Sequence, residues 1–344
     1  MSKVAVALSG GIDSAVVALL LLKKGYEVVG LTAKTTCTQD ADNVVQNAKN
    51  VAEKLGIEHF LLDVSKEFSK KVINYFEDSY LKGLTPNPCI MCNKFIKWGA
   101  LFDYAINELG VDFIATGHYA RIVCIDGVYK LFPAVDELKD QLYFLYLLSQ
   151  EHLSKTLFPL SEYKKTEVKD LAERFNLPPK SAKESQDICF IPNSMSTKNY
   201  LSKILKKQKG NFIQKSTGKV LGSHDGYWQF TVGQRKGIGI AAPEPLYVLN
   251  IDASTNSVYV GYKDELLCKE LSLDNVIWSY QLSNFEFDAK VKIRYNMKAI
   301  NAKVKFENDS VKVLFDDPVS AIAPGQACVF YDINDGHLLG GGFI

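Results

Sequence analysis

The segment Lys3-Val-Ala-Val-Ala-Leu-Ser-Gly-Gly-Ile-Asp-Ser14 constrains this chain more than any other stretch of it. An apolar run of strand character breaks into Ser9, Gly10, Gly11, Ile12, Asp13 and Ser14, and residues 15–24 continue as a helix. A buried strand that feeds a glycine loop and a helix start is a phosphate cradle. Glycine lets the backbone turn tightly and bring its N–H groups to an anion, while the helix N-terminus adds unpaired donors and roughly half a positive charge. Asp13 sets the loop apart. A carboxylate repels phosphate unless a cation lies between them, so Asp13 is expected to hold Mg²⁺ and Ser9 and Ser14 to touch phosphate as neutral groups. The pattern G-x-x-x-x-G-K-[ST] of another phosphate loop occurs nowhere in the chain. The competing reading is an ordinary strand-turn-helix junction capped by Ser or Asp.

Beyond the loop the chain alternates regularly. Residues 4–8, 27–31, 59–64 and 112–116 read as short buried strands, and residues 14–24, 42–55, 65–81 and 93–109 as helices, with Gly25, Gly56 and Gly110 just past three helix ends. That order predicts an α/β fold, a doubly wound parallel sheet with helices on both faces. Ligands bind such sheets beyond the carboxyl ends of the strands, which gathers the Ser9 loop, Ala33 and Gly117-His118 on one crevice. Two more helices are expected between residues 140 and 175, broken at Phe158-Pro159-Leu160. Residues 199–261 are rich in glycine and proline and read as a small central domain. Beyond residue 263 the pattern has period two, as in Ala289-Lys-Val-Lys-Ile-Arg-Tyr295, which fits a C-terminal antiparallel β-barrel. The expected domains are therefore 1–195, 196–262 and 263–344. Gly237-Ile-Gly239 is not a dinucleotide loop, because Pro243 and Pro245 block the helix such a loop must open.

Composition limits the setting. The 344 residues are 47% hydrophobic and 23% charged, as in a soluble globular protein. No run of about 18 apolar residues exists and no basic start precedes a hydrophobic segment, so a cytoplasmic location is expected. A net charge of +1 means that any nucleic-acid partner is held by local patches. Two stretches offer them: Lys198, Lys203, Lys206, Lys207, Lys209, Lys215 and Lys219, then Lys290, Lys292, Arg294, Lys298, Lys303 and Lys305. Taken alone, each reads as a solvated face. Seven cysteines, an odd number, do not form a secreted disulfide framework, which leaves some for chemistry. Cys92 comes after the Pro-bounded turn Thr85-Pro-Asn-Pro-Cys-Ile-Met and immediately precedes the helix expected from Asn93. There the helix dipole and Lys94 should favour thiolate, making Cys92 a candidate nucleophile. Cys189 sits between a polar segment and an apolar one, and nothing local says that it meets Cys92. Cys124, Cys268 and Cys328 read as core residues, and Cys37 falls in a polar loop. His59, His152, His224 and His337 have no ligand spacing, and Trp98, Trp228 and Trp278 read as packing residues.

Ser9-Gly10-Gly11-x-Asp13-Ser14 resembles the PP-loop of ATP pyrophosphatases, with an adenine nucleotide alpha hydrolase-like fold. The resemblance narrows with Asn87-Pro88, Cys92-Asn93-Lys94, Thr116-Gly-His-Tyr-Ala120, Lys139-Asp-Gln141 and Phe158-Pro-Leu160. Adding Glu184-Ser-Gln-Asp-Ile-Cys-Phe190, Gly233-Gln-Arg-Lys-Gly237, Arg294-Tyr295 and Pro324-Gly-Gln326, the chain is similar over nearly its whole length to the tRNA-specific 2-thiouridylases, the MnmA family. The likeness implies ATP-dependent placement of sulfur on carbon 2 of a wobble uridine, with AMP first transferred to the uridine O2. It implies a persulfide on Cys189 and Cys92 as partner thiol. Ala7, Leu8, Ser9, Gly10, Gly11, Ile12, Asp13, Ser14, Ala33 and Gly117 would then bind ATP. Asn87, Pro88 and Cys89 would border the target base, which must leave its stack, and His118, Lys139, Asp140, Gln141, Arg294, Tyr295 and Gln326 would touch tRNA. Its implied partners are tRNA and a sulfur-relay persulfide donor protein, not a membrane or DNA. The chain departs from the family at Cys89, where many members carry Asp. Cys89 is then a spare thiol, half of a C-x-x-C redox pair, or with Cys92 and Cys189 a ligand of a [4Fe-4S] cluster. Two broader readings remain: an amidating ATP pyrophosphatase, and a noncatalytic tRNA-binding adaptor.

Overall fold

The computed structural model describes residues 1–36, 39–178, 188–192, 194–307 and 310–344. They fall into two compact units, one of Met1–Ile73, Cys89–Gln186 and Gly336–Leu338, the other of Asn74–Pro88, Asp187–Asp335 and Leu339–Ile344.

In the first unit, β1 (Lys3–Ala7) lies between β2 (Glu27–Lys34) and β4 (Phe113–Ala115), all parallel, with β3 (His59–Asp63) beyond β2. The chain reverses direction of travel across the sheet at β1, and the glycine loop leaves from that strand's carboxyl end. Val4, Ala5 and Val6 have no exposed surface, and neither do Ala15 to Ala18 of helix α1 (Ile12–Lys23). A helix apolar on every side must be buried on all of them, which fixes α1 against the sheet. The four expected strands are present. A fifth, Thr156–Leu157, pairs with β4 and is too short to carry a strand pattern. A hairpin of Arg121–Ile125 and Val128–Phe132 goes beyond the elements expected from the sequence, although its turn, Asp126 (φ 51°) and Gly127 (φ 81°), is the Asp-Gly pair that such turns favour.

The helix expected from Asn93 starts earlier and winds differently. Pro88–Cys92 is α-helical, with Pro88 at the first position, where proline's missing N–H costs nothing. The wider π-helix Asn93–Leu101 continues it, and Trp98 and Gly99 leave helical geometry. Apolar spacing does not distinguish these windings over two turns.

The second unit holds a four-stranded sheet and a seven-stranded one. The first orders Tyr247–Asp252, Ser257–Gly261, Gly210–Gln214 and Val220–His224 over a core of Phe212, Val248, Val258 and Val260. The second includes Glu286–Lys292, Ile300–Glu307 and Ser310–Ser320 as antiparallel neighbours, with Ala289, Val291, Val304 and Val313 fully buried on its inner face. The lysines between them point outward, and Lys303 and Lys305 pair with Glu286 and Asp288 at 3.1–3.6 Å. Part of the second basic stretch is thus neutralised by its own sheet. Cys328 is buried as expected, but Cys124 and Cys268 are exposed, in strands Arg121–Ile125 and Leu267–Asp274 whose residues are mostly half-buried or exposed. Cys37 lies outside the described residues. Among the described residues, no helix is long and apolar enough to cross a membrane.

Candidate active site

Gly11 is the N-cap of α1 and no side chain caps that helix, so its first N–H groups face whatever the loop receives. The loop is braced from within. Ser14 Oγ donates to the Gly11 carbonyl (3.0 Å) and accepts from Ser9 N–H (3.1 Å), with Ser9 Oγ 3.2 Å away. Gly10 has φ +70°, and a Cβ there would stand 2.7 Å from the Val44 carbonyl oxygen. Gly117, after β4, approaches α1 so closely that a Cβ would lie 3.0 Å from that of Asp13 and 3.3 Å from Ser14 N. Gly10 therefore needs glycine, and at Gly117 a side chain would crowd the first turn of α1. Ala7 ends β1, and Ala33, near the end of β2, is half-buried. Leu8 donates its N–H to Leu31 and accepts from Thr32 Oγ1 at 2.9 Å each, so its backbone serves the sheet beneath the loop.

Asp13 has partners that its sequence neighbourhood does not announce. Lys165 Nζ reaches both carboxylate oxygens, at 2.7 and 2.6 Å, and the Tyr119 hydroxyl donates to Oδ1 at 3.0 Å. Lys165 lies 152 residues away, at the start of helix Lys165–Arg174, and no spacing rule links the two. An ammonium on both oxygens shows a carboxylate presented to a cation at the mouth of the phosphate loop, the donor chemistry Mg²⁺ needs from a protein when phosphate and water complete its shell. Tyr119 is bracketed by Gln141, whose N–H donates to the Tyr119 carbonyl (3.0 Å) and whose Oε1 accepts from Tyr119 N–H (3.1 Å). Asp136 accepts the Lys165 N–H at 2.8 Å. The loop carrying Lys139, Asp140 and Gln141 is thereby tied to both residues that hold Asp13. Asp140 itself accepts from the N–H groups of Leu142 and Ala134, which makes it a brace of that loop.

Cys92 sits at the end of the Pro88–Cys92 turn rather than at a helix start, so the expected help from the dipole is missing. Burial pushes its thiol above the ordinary value of 9.0, and that of Cys89 likewise, while the Lys97 ammonium opposes the rise at both. The cation that matters is thus Lys97, not the exposed Lys94, whose ammonium lies over the Phe95 ring. Lys97 Nζ is held 3.1 Å from His118 Nε2, and His118 Nδ1 lies 2.7 Å from Thr116 Oγ1. An ammonium only donates, so His118 accepts at Nε2 and carries its proton on Nδ1. Burial and Lys97 keep this ring neutral, its pKa well below 6.5. His118, expected at the tRNA surface, is only 6% exposed, and its contacts hold Lys97. We expect the alkylation rate of Cys92 to rise about tenfold per pH unit up to a midpoint above 9.0. In Lys97→Met the midpoint moves higher still, because a lowering charge is gone. Iodoacetamide kinetics with peptide mass spectrometry on Cys92 check this, and superimposed curves would refute the role of Lys97.

In the second unit Cys189 is exposed on a turn, beside Phe190, which packs edge-on against Phe76 at 5.3 Å. Residues 184–187 of its motif lie outside the described residues. Arg294 is exposed and donates to the Ser320 carbonyl at 3.3 Å, with Tyr295 half-buried beside it. Gly233 packs on Ala321, the residue after Ser320, and Arg235 and Lys236 beyond it are exposed. Gln326 Nε2 donates to the Thr85 carbonyl at 2.8 Å, two residues before Asn87.

Three family models match in order: a tRNA methyl transferase HUP domain over residues 2–193, a tRNA methyl transferase PRC-barrel domain over 198–262, and an aminomethyltransferase beta-barrel domain over 268–344. The tRNA-specific 2-thiouridylase MnmA of Carboxydothermus hydrogenoformans is 44% identical, covering 99% of this chain and 97% of the relative. That of Nostoc punctiforme is 42% identical over 100% and 99%. Among solved structures, the U34-tRNA thiolase NcsA from Methanococcus maripaludis with its [4Fe-4S] cluster covers 59% of this chain and 64% of its own, at 22% identity and a TM-score of 0.38. At that distance the likeness carries no argument about cofactor or mechanism.

Proposed function

Because the chain belongs to the tRNA-specific 2-thiouridylase family, we propose that it is a cytoplasmic tRNA-uridine 2-sulfurtransferase that uses ATP to replace the 2-oxygen of a wobble uridine by sulfur. The observation that carries the reading is the uncapped glycine loop at the reversal point of the parallel sheet, with an acidic residue held ready for a cation at its mouth. Its N–H groups, with Ser9 and Ser14, take the triphosphate. Ala33 and Gly117 line the adenosine side. Mg²⁺ bound at Asp13 would draw charge from the phosphates as the bond to pyrophosphate breaks. The uridine O2 attacks the α-phosphorus, pyrophosphate leaves, and AMP becomes the group that carbon 2 can lose. The outer sulfur of a Cys189 persulfide, supplied by a donor protein, then attacks carbon 2 and AMP departs. The Cys92 thiolate attacks the inner sulfur, breaking its bond to the transferred sulfur, which stays on the base. The resulting Cys92–Cys189 disulfide is reopened by a thiol reductant. Asn87 and Pro88 border the flipped base. Lys139, Gln141, Arg294 and Tyr295 meet tRNA, Arg294 at phosphate and Tyr295 by stacking.

The test combines purified protein, ATP, Mg²⁺, a persulfide donor and unmodified tRNA transcript. We expect pyrophosphate release that depends on tRNA, and 2-thiouridine in the digested product by mass spectrometry. Release that ignores tRNA points to an amidating enzyme, and no release to an adaptor; either result overturns the proposal.

A further inference from the structure

The six residues Lys82 to Asn87 connect helix Asn74–Leu81 to the Pro88–Cys92 turn, and two later parts of the chain hold this segment. From the four-stranded sheet region, the Tyr227 hydroxyl donates to the Leu81 carbonyl at 2.6 Å, and Gly83, with φ +75°, turns so close to Ile251 that a Cβ would lie 3.2 Å from its Cγ2. From the seven-stranded sheet, the turn Pro324-Gly325-Gln326 takes both main-chain groups of one residue. Thr85 N–H donates to the Pro324 carbonyl at 2.7 Å, and Gln326 Nε2 donates to the Thr85 carbonyl at 2.8 Å. Between these bonds Gly325, with φ +91°, brings its backbone so near that a Cβ would stand 2.9 Å from Thr85 N. The turn is itself fixed from behind, since Gly325 N–H donates to the Ile344 carbonyl and Ile344 N–H to that of Gln326, at 2.8 and 2.9 Å. Beyond Thr85, Pro86 and Pro88 are buried and have locked φ angles, so a displacement of Thr85 passes on to Asn87 instead of being absorbed.

We propose that Pro324-Gly325-Gln326 is a clamp on Thr85, and that Gln326 is a positioning residue that sets Asn87 and Pro88 for the target base. The inference rests on the proposed uridine thiolation for what those two residues border, but the clamp itself is testable without substrate. Gln326→Met keeps the length and loses the donor. We expect its Thr85 region to exchange amide hydrogens roughly five- to tenfold faster in the protein without tRNA, the loss of one hydrogen bond. With substrate, kcat should fall by a similar factor while tRNA affinity stays within about twofold. Gln326→Glu supplies a second test, because a carboxylate repels the Thr85 carbonyl whereas a protonated carboxyl can donate to it. Its exchange, corrected for intrinsic pH dependence, should be fast at neutral pH and slow again as the carboxyl protonates near or above its ordinary pKa of about 4.3. Unchanged exchange in both variants overturns the clamp. Weakened tRNA binding with unchanged exchange and kcat makes Gln326 a tRNA contact instead, and also overturns it. A failure of the sulfur-transfer reading appears separately, as wild-type protein that yields no thiolated base.

Discussion

Lys165→Met is expected to lower tRNA-dependent pyrophosphate release by roughly 10²-fold, the effect of removing a charged partner from a partly enclosed phosphate site. The Lys165 side chain is 12% exposed and that of Asp13 32%, with Nζ 2.6 Å from Oδ2. At an effective dielectric constant near 20, two charges about 4 Å apart interact by about 4 kcal/mol. A third of Asp13 faces water, so screening trims that figure, and about 2–3 kcal/mol is the loss to expect. Without Lys165 the carboxylate stands uncompensated at the place where triphosphate arrives, so ATP affinity should fall together with the rate. Asp13→Asn should weaken the use of Mg-ATP by a different route, removing the ligand and leaving the ammonium. Since the two residues form one unit, the double variant should lose less than the sum of the singles, by about 1–3 kcal/mol in a double-mutant cycle. Calorimetric ATP titration and a pyrophosphate assay measure both quantities. Additive losses, or a Lys165→Met enzyme as fast as wild type, would dismiss the pairing.

What the sequence reveals and what it hides differ by range. The glycine loop, the four strands of the parallel sheet and the period-two barrel strands are local patterns, each fixed by residues within a turn or two of one another, and each appears where its pattern lies. Lys165 could not be found that way. Its partner is 152 residues distant, and a lysine at a helix start looks like any solvated cation until the fold places it. The environment of Cys92 misleads for a related reason. Helix-start chemistry would have lowered its pKa, but Pro88 starts the helix five residues sooner than Asn93 and burial outweighs Lys97. Cys124 and Cys268 show the limit of a strand pattern: it marks a strand without saying how far the fold buries it. The Asp126-Gly127 hairpin, by contrast, is legible in its dipeptide turn signal between two short apolar runs, and the expected elements omit it only because both runs are too brief to stand out by alternation.

Cys189→Ser should abolish sulfur transfer, by at least about 10³-fold, while pyrophosphate release and tRNA affinity stay within a few fold. A serine oxygen cannot carry a sulfane sulfur, so the variant forms the adenylated uridine and stops. Cys92→Ser should stop one step later. Its Cys189 still accepts the donor's sulfur and attacks carbon 2, yet no thiol remains to cut the bond between the two sulfurs. Such a protein should be trapped joined to tRNA through Cys189, a species that an added thiol releases as 2-thiouridine. The exposed position of Cys189 on its turn suits a group that must meet a donor protein, whereas the half-buried Cys92, its pKa raised, suits a thiol kept from the donor and from oxidants until the base is in place. Gel analysis of the thiol-sensitive adduct and mass spectrometry of the nucleosides distinguish the two variants. If Cys189→Ser still thiolates, or if both variants stop before pyrophosphate is released, the division of labour between the two cysteines is wrong.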